Sequence, residues 1–399
     1  MDELFIRDFD YPLEGHQIAE FPLSSRDASK LLFYKDGDIQ DAGFKELADF
    51  LPENATLILN NTRVIEARIH FQKETGGLIE LFCLEPYEPS EIALAMEQTG
   101  AVQWRCLIGG ASKWKAGQIL EKRLVIEEEA VNLYATYIAK EEDSFIVRLS
   151  WNSKHTCAEI LQAAGNIPLP PYIKRAAEAT DSERYQTVFA AQKGSVAAPT
   201  AALHFTEGVF ESLAQKGIQP AYITLHVGAG TFKPVKTETI SEHLMHAESF
   251  SVTADLLRSL LAAKTIVAVG TTSLRTLESL YWLGVKLRSG NRDFTLSQWE
   301  AYELPGELNY AESLGGLVDE LTRTGQQALH CRTSLLIRPN YRIRSADALI
   351  TNFHQPKSTL LLLVAAFIGE EWKQVYDHAL NHDYRFLSYG DSSLLWRKD

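Results

Sequence analysis

The chain has 399 residues, of which 45% are hydrophobic, and carries a formal net charge of −13. That composition excludes a disordered polymer and favours two or three domains at ~150 residues each. The acidic balance works against a general nucleic-acid binder, although a local patch of Lys and Arg is enough for phosphate contacts.

Cys83, Cys106, Cys157 and Cys331 lack CxxC or Cys/His spacing, so neither a disulfide framework nor a zinc site is expected. The opening MDELFIRDFDYPLEGH has no apolar signal core, and the longest apolar run, 360–368, falls far short of the ~20 residues that span a bilayer. A cytoplasmic monomer with no membrane partner is expected.

Residues 1–70 read as mixed structure, with a buried strand over 55–59 that runs into NNTRVIEARI. The texture changes over 71–150. GLIELFCLE, QWRCLIGG, QILEKRLVIEEE, NLYATYIA and SFIVRLS are short, β-branched or aromatic, and partly alternating. This stretch predicts an inserted small all-β barrel. From 158 the pattern is α/β. A short helix over 158–165 ends at Gly165, and Pro168, Pro170 and Pro171 force an extended turn. Thr206 starts a helix that buries Val209, Phe210 and Leu213. Strands follow at 221–227, 265–269 and 348–351. Thr271, Thr272 and Ser273 are expected to cap a helix carrying Leu274, Leu277 and Leu280. The helix over 360–367 is apolar all round and should be buried. Residues 283–332 are polar and glycine-rich and read as a long excursion with one or two helices. The expected organisation is an α/β catalytic domain from 1–70 and 151–399, interrupted by a β domain at 71–150.

Several of these strands end in glycines, hydroxyls, amides or histidines just before a helix. The segments are TLHVGAGTF (224–232), AVGTTSLRTLES (268–279) and LITNFHQPKST (349–359); AAPTAALHFTEG (197–208) has the same chemistry. Ligands of α/β folds bind at carboxyl ends of strands, and helix N-termini favour anions, so the four segments point to one composite site. Gly228-Ala229-Gly230 lacks the third glycine of a dinucleotide fingerprint. A lone histidine is more often satisfied or solvated than catalytic. His204, His226, His246 and His354 nevertheless all sit at element ends, and Glu248 stands near enough to orient a ring or act as a base. No metal spacing is present among them. Basic candidates are Arg63, Lys113 and Lys115 around Trp114, Lys174, Arg175, Arg338, Arg342, Arg344 and Lys357. A charge run is usually a solvated face. Trp114 between lysines fits either an RNA stacking contact or a core aromatic.

Taken together, VAAPTAALHFT, TLHVGAGTFKPV, HLMHAES, VGTTSLRTLES, LITNFHQPKSTLLLLVAAFIG and YRFLSYGD resemble the S-adenosylmethionine:tRNA ribosyltransferase-isomerase family. SSRDASKLLF, NNTRVIEARI, KETGGLIELF and PLPPYIKR do so as well, in collinear order from about 5 to 395. The resemblance implies a large α/β barrel-like domain interrupted by a small β-barrel. It implies transfer and isomerisation of the ribosyl group of S-adenosylmethionine onto 7-aminomethyl-7-deazaguanine in tRNA. Adenine and methionine leave, epoxyqueuosine remains, and S-adenosylmethionine is a substrate rather than a cofactor. The implied route starts when a base removes a proton beside the sulfonium. The base and the acid for adenine are then sought among His204, His226, His246 and His354. Thr271, Thr272 and Arg275 would hold the methionine carboxylate. Asn352 and Glu248 would orient or bind ribose, and Thr200, Gly228 and Gly230 complete the substrate-binding set. Arg63, Lys113, Lys174 and Arg175 would face tRNA.

Glu66, Ala202, Asn340 and Gln355 depart from the usual proline, glycine, glycine and leucine of that pattern. Ala202 bears most on the acceptor. A paralogue with another acceptor and a non-catalytic RNA-binding protein are the alternative readings.

Overall fold

The computed structural model describes residues 3–73, 75–115, 117–141, 143–228, 235 and 237–398. It is a mixed α/β fold built on two large sheets, with a two-stranded parallel sheet of Thr62–Val64 and Gln192–Ser195 besides. The larger has ten strands in the spatial order Thr295–Leu296, Ala328–Thr333, Glu248–Thr253, Gln219–Leu225, Thr56–Asn60, Ile266–Val269, Ala348–Asn352, Ser392–Trp396, Lys30–Lys35 and Asp38–Gly43. Its two edge strands do not pair with each other among the described residues.

The four strands from Gln219–Leu225 to Ala348–Asn352 are mutually parallel. Three of them are buried almost throughout, as expected of strands covered on both faces. One face packs on the helices Ala254–Ala262, Thr271–Arg288, Tyr310–Thr324, Thr359–Ile368 and Trp372–Asn381. The other face packs on Glu207–Gln215 and the 3-10 segment Phe44–Phe50.

Local chemistry accounts for most of the helix starts. Thr206 accepts from the Val209 N–H at 3.3 Å, and Val209 and Leu213 are buried on the helix that follows. Thr156 and Glu159 form a reciprocal capping box for Cys157–Ala164. Ser358 caps Thr359–Ile368, whose side chains are nearly all buried. The expectation at Thr271 needs correction: the cap position is Gly270, at φ 89°, and no side chain caps the helix. The hydroxyls of Thr271, Thr272 and Ser273 lie inside the first turn and leave its N–H groups without a side-chain cap.

The excursion read over 283–332 also begins later. The helix continues to Arg288 because Gly284 lets the Tyr310–Thr324 helix come close. A Cβ at Gly284 would sit 2.3 Å from the Ser313 carbonyl oxygen. Leu314, Leu317 and Leu321 of that second helix join the main core, and Ala328–Thr333 is a sheet strand. Lys286 is buried, with its ammonium 2.6 Å from the Thr295 carbonyl and 2.7 Å from Glu300. The polar texture of this stretch therefore conceals core packing.

The second sheet has seven antiparallel strands in the order Gly165–Asn166, Arg68–Gln72, Leu78–Glu88, Ala101–Gly109, Phe145–Trp151, Glu129–Lys140 and Ile119–Ile126. It has its own apolar cluster, which includes Trp104, Trp151, Cys83 and Cys106. The sheet curls: Lys122, on its far edge strand, donates to the His70 carbonyl at 3.2 Å and the Ala164 carbonyl at 2.7 Å. Trp114 belongs to this core, with its indole N–H on the Gln118 carbonyl, so it offers no stacking face to RNA.

Of the four departures, Ala202 lies in a 3-10 turn with its methyl buried in the core under the large sheet. Asn340 adopts φ 72°, a conformation asparagine tolerates better than most residues. Nothing in the structure explains Glu66 or Gln355.

Glu278 ties the 338–345 segment to the long helix. Its fully buried carboxylate accepts from the Tyr341 hydroxyl at 2.8 Å, the Arg344 and Ser345 N–H groups at 2.9 Å and the Ser345 hydroxyl at 2.5 Å. Glu278→Ala strands these donors, and we expect a loss of about 3 kcal/mol, read as a lower urea midpoint at unchanged slope. An unaltered midpoint would show that the network adds no stability.

Candidate active site

Parallel pairing brings Asn60, His226–Gly228, Gly270–Thr272 and Asn352–His354 to one end of the large sheet. The antiparallel neighbours add their amino ends, so Glu248 and Ser392 lie at the same end. Asn60 closes the gap between two strands with its carboxamide, which donates to the Leu225 carbonyl at 2.9 Å and accepts the Leu225 N–H at 3.1 Å.

The first cluster centres on His204, which is 4% exposed. Its Nδ1 is 2.9 Å from the Ser29 hydroxyl and its Nε2 is 3.1 Å from Asn352 Nδ2. Asn352 Nδ2 also meets the Asp391 carbonyl at 3.4 Å, while its Oδ1 accepts the Thr200 hydroxyl at 2.9 Å. A carbonyl can only accept, so the amide nitrogen must face Asp391. His204 Nε2 then carries the lone pair, and Nδ1–H donates to Ser29. Burial above all, with the Arg385 charge second, pushes the His204 pKa down to about 3. The ring is neutral and both its nitrogens are engaged, which suits an orienting group better than a proton carrier.

The second cluster lies three strands away. Glu248, 7% exposed, accepts the Gly228 N–H at 3.1 Å through Oε1 and pairs with the Arg275 guanidinium through Oε2. Burial pulls the Arg275 pKa down to about 10, still charged at neutral pH. A carboxylate held by a guanidinium and an N–H is a poor base. Arg275 sits one turn into the Thr271–Arg288 helix, whose first turn therefore reaches from the Asn352 side of the site to the Glu248 side. Ser273 Oγ is buried there without a partner, beside N–H groups that favour an anion.

His226 is half-buried, and its main-chain N–H donates to the Ser249 carbonyl at 3.0 Å. Its ring packs over Gly194, where a Cβ would come within 3.1 Å of Nδ1. Among the described residues Nδ1 is buried without a partner, and burial pushes the His226 pKa to about 4. Of the four histidines, His226 is the half-buried neutral ring whose nitrogens are not taken up by described side chains.

His354 is buried directly behind Asn352. Its Nε2 is 2.8 Å from the Thr351 hydroxyl, its N–H donates to Tyr376, and burial holds its pKa at about 3. His246 is exposed, on the same segment as the 81%-exposed Leu244. Gly230 lies outside the described residues. Arg63, Lys113 and Lys174 are exposed. Arg175 is not available to tRNA as expected: it makes a two-pronged ion pair with Asp181 at 2.7 and 2.8 Å and covers the Phe21 ring. Arg344 stacks on Trp282, Arg338 is buried over Tyr302, and Lys357 pairs with Asp10. Ser29 and Asp391 were not among the sequence candidates. They lie inside the matching blocks SSRDASKLLF and YRFLSYGD, but only the fold brings them to His204 and Asn352.

A family model described as "Queuosine biosynthesis protein" matches residues 6–395, and the chain belongs to that family. A Legionella pneumophila (strain Lens) protein named S-adenosylmethionine:tRNA ribosyltransferase-isomerase is 38% identical, covering 98% of this chain and 99% of its own. Proteins of the same name from Nitrosomonas eutropha and a Sulfurihydrogenibium species are 36% and 37% identical, each over at least 97% of both chains. A solved S-adenosylmethionine tRNA ribosyltransferase structure from Thermotoga maritima is 28% identical with a TM-score of 0.46, covering 97% of this chain and 99% of that one.

The buried neutral histidines make stability depend on pH. Below the ordinary imidazole pKa of ~6.5 the unfolded chain binds protons that His204 and His354 refuse until about pH 3. Stability is therefore full above that value and falls on acidification, by up to about 3 kcal/mol per pH unit for the pair. Urea midpoints measured between pH 7 and 4.5 should fall with pH, less steeply in His204→Asn. A flat profile would contradict the neutral assignment.

Proposed function

We infer that this protein transfers and isomerises the ribosyl moiety of S-adenosylmethionine onto 7-aminomethyl-7-deazaguanine in tRNA. The products are epoxyqueuosine in tRNA, adenine and methionine. The observation that carries the reading is near-complete collinearity with relatives that bear this activity as their name. The site supplies matching chemistry. The uncapped first turn of Thr271–Arg288 suits the amino-acid carboxylate of the donor, with Glu248 already taking up the charge of Arg275 beside it. Neutral rings at His204 and His226 suit a cationic sulfonium better than charged ones.

His226 is the group we assign to the proton beside sulfur. Positive sulfur acidifies that carbon, so a weak base with an unengaged lone pair suffices. Its low pKa makes the protonated ring a strong acid for the departing adenine. Adenine loss leaves a vinyl sulfonium, the neutral tRNA amine adds to it, and epoxide closure expels methionine. Glu248 holds Arg275, and the Asn352–His204–Ser29 line fixes the opposite wall. His246 enters this scheme only if its segment closes on the donor. The curled seven-stranded sheet is, in this reading, an inserted domain and the rest a catalytic one.

Incubation with S-adenosylmethionine and tRNA bearing the 7-aminomethyl base, followed by mass spectrometry, should show epoxyqueuosine with one adenine and one methionine per modified base. Donor binding without that nucleoside would mean another acceptor. His226→Ala should lower turnover by about 10²–10⁴-fold. The acidic limb of kcat/KM should fall near pH 4, following His226. A limb near ~6.5, or full turnover in the variant, would remove His226 from the role.

A further inference from the structure

Beside the His204 wall lies a cleft of about 20 Å³ whose lining includes three arginines, Arg26, Arg184 and Arg385. Ser29, His204 and Tyr389 also line it, and no Asp or Glu does. Each guanidinium is fixed by main-chain carbonyls. Arg26 donates to those of Leu203 at 3.2 Å and Glu183 at 2.8 Å. Arg184 donates to Ser24 at 3.2 Å and Leu23 at 2.7 Å, and Arg385 to Phe21 at 3.3 Å and Tyr389 at 2.9 Å.

Carbonyls fix direction but cancel no net charge. Among the described residues neither Arg26 nor Arg184 has a carboxylate within 4.0 Å. The nearest carboxylate to Arg385 is Asp391 at 3.9 Å, and its oxygens already accept the N–H groups of Lys30 at 2.9 Å and Arg385 at 2.7 Å. Among the described residues Arg184 Nε is buried with no partner. Arg175, in the same region, shows the contrast: its charge is cancelled by the two-pronged pair with Asp181. Asp391 offsets part of the Arg385 charge, but Arg26 and Arg184 have no such partner, and holding cations together with too few anions is unfavourable unless another anion joins them.

The cleft is too small for a base or a sugar, since one water-sized probe already needs ~10–15 Å³; a single oxyanion edge fits. It also sits at the functional end of the sheet. Ser29 precedes the strand Lys30–Lys35, and His204 separates the cleft from Asn352. A chain of net charge −13 that takes a polyanion must gather positive charge locally. S-adenosylmethionine carries no phosphate, whereas tRNA presents a row of them. We propose that Arg26, Arg184 and Arg385 form a docking point for one backbone phosphodiester of the tRNA substrate, beside the reacting centre. The proposal rests on the functional reading above.

The test is the salt dependence of tRNA affinity in wild type and Arg184→Gln. The variant should bind tRNA about 5–10-fold more weakly near 0.15 M salt. The slope of log K against log salt should shrink by about one. S-adenosylmethionine affinity, measured by calorimetry, should be retained. A folded variant with unchanged tRNA affinity and slope would overturn the proposal. Inorganic phosphate is the other probe: if it raises the melting temperature of wild type but not of the variant while the tRNA slope stays the same, the cleft takes free phosphate and the tRNA assignment fails. Should Arg184→Gln not fold, phenylglyoxal labelling of wild type decides. Protection of Arg184 by tRNA and not by S-adenosylmethionine supports the site; protection by both or neither refutes it. A wild type that makes no modified nucleoside from tRNA and S-adenosylmethionine would instead refute the functional reading, so the two failures are distinguishable.

Discussion

The parallel pairing of Gln219–Leu225, Thr56–Asn60, Ile266–Val269 and Ala348–Asn352 sets where every polar residue of the site goes. Strands that run the same way must each be followed by a crossover, and the crossovers all begin at one end. Those beginnings are the places where this chain carries histidine, glycine, threonine and asparagine. Antiparallel neighbours contribute from their amino ends, which is how Glu248 and Asp391 reach the same rim. Reversing one central strand would move its terminal residues by about 20 Å, at ~3.3 Å per residue, and separate His226 from Glu248 or Asn352 from His204.

Burial does two opposite things at that rim. It keeps His204, His226 and His354 neutral, because an imidazolium there would lose its hydration. It also leaves Arg275 charged, because Glu248 stands against it and the guanidinium starts from a far higher pKa. The site thus joins an uncapped helix start, suited to a carboxylate, and a closed Glu248–Arg275 pair with neutral rings suited to a sulfonium. The hydrogen bonds around Asn352 set a single tautomer for His204 and engage both its nitrogens. Among the described residues His226 Nδ1 has no such partner, and the proposed division between an orienting ring and a reactive one rests on that difference.

Much of the local structure was legible in the sequence because its causes are local. Thr206, read as a helix start, caps the helix it precedes. The apolar runs at 55–59, 265–269 and 348–351 fall on buried strands. The strand-end segments place His204 against Asn352 and Arg275 against Glu248, in two clusters along one end of the sheet. The misses have long-range causes. Arg175 read as a free cation until Asp181 closed on it. Trp114 between two lysines left both a surface and a core reading open, and only the distant strands that form its core decide for the second. Residues 283–332 looked like an excursion because Gly284 and Lys286 are poor helix-core signals. One allows a close helix contact and the other is neutralised by Glu300. Ser29, Asp391 and the three clustered arginines are single residues far apart in the chain, and no spacing rule connects them.

The central claim is that S-adenosylmethionine binds at the carboxyl ends of the four parallel strands. The opposite end of the sheet offers a larger concavity, lined by Glu53, Asn54, Gln219, Ser259 and Lys264, which provides the contrast. A crystal structure with S-adenosylmethionine bound is the most direct measurement. Donor density beside Gly270, Asn352 and Arg275, with its carboxylate at the first turn of Thr271–Arg288, is the predicted result. Density in the Glu53–Lys264 concavity, with the histidine end empty, would contradict the account.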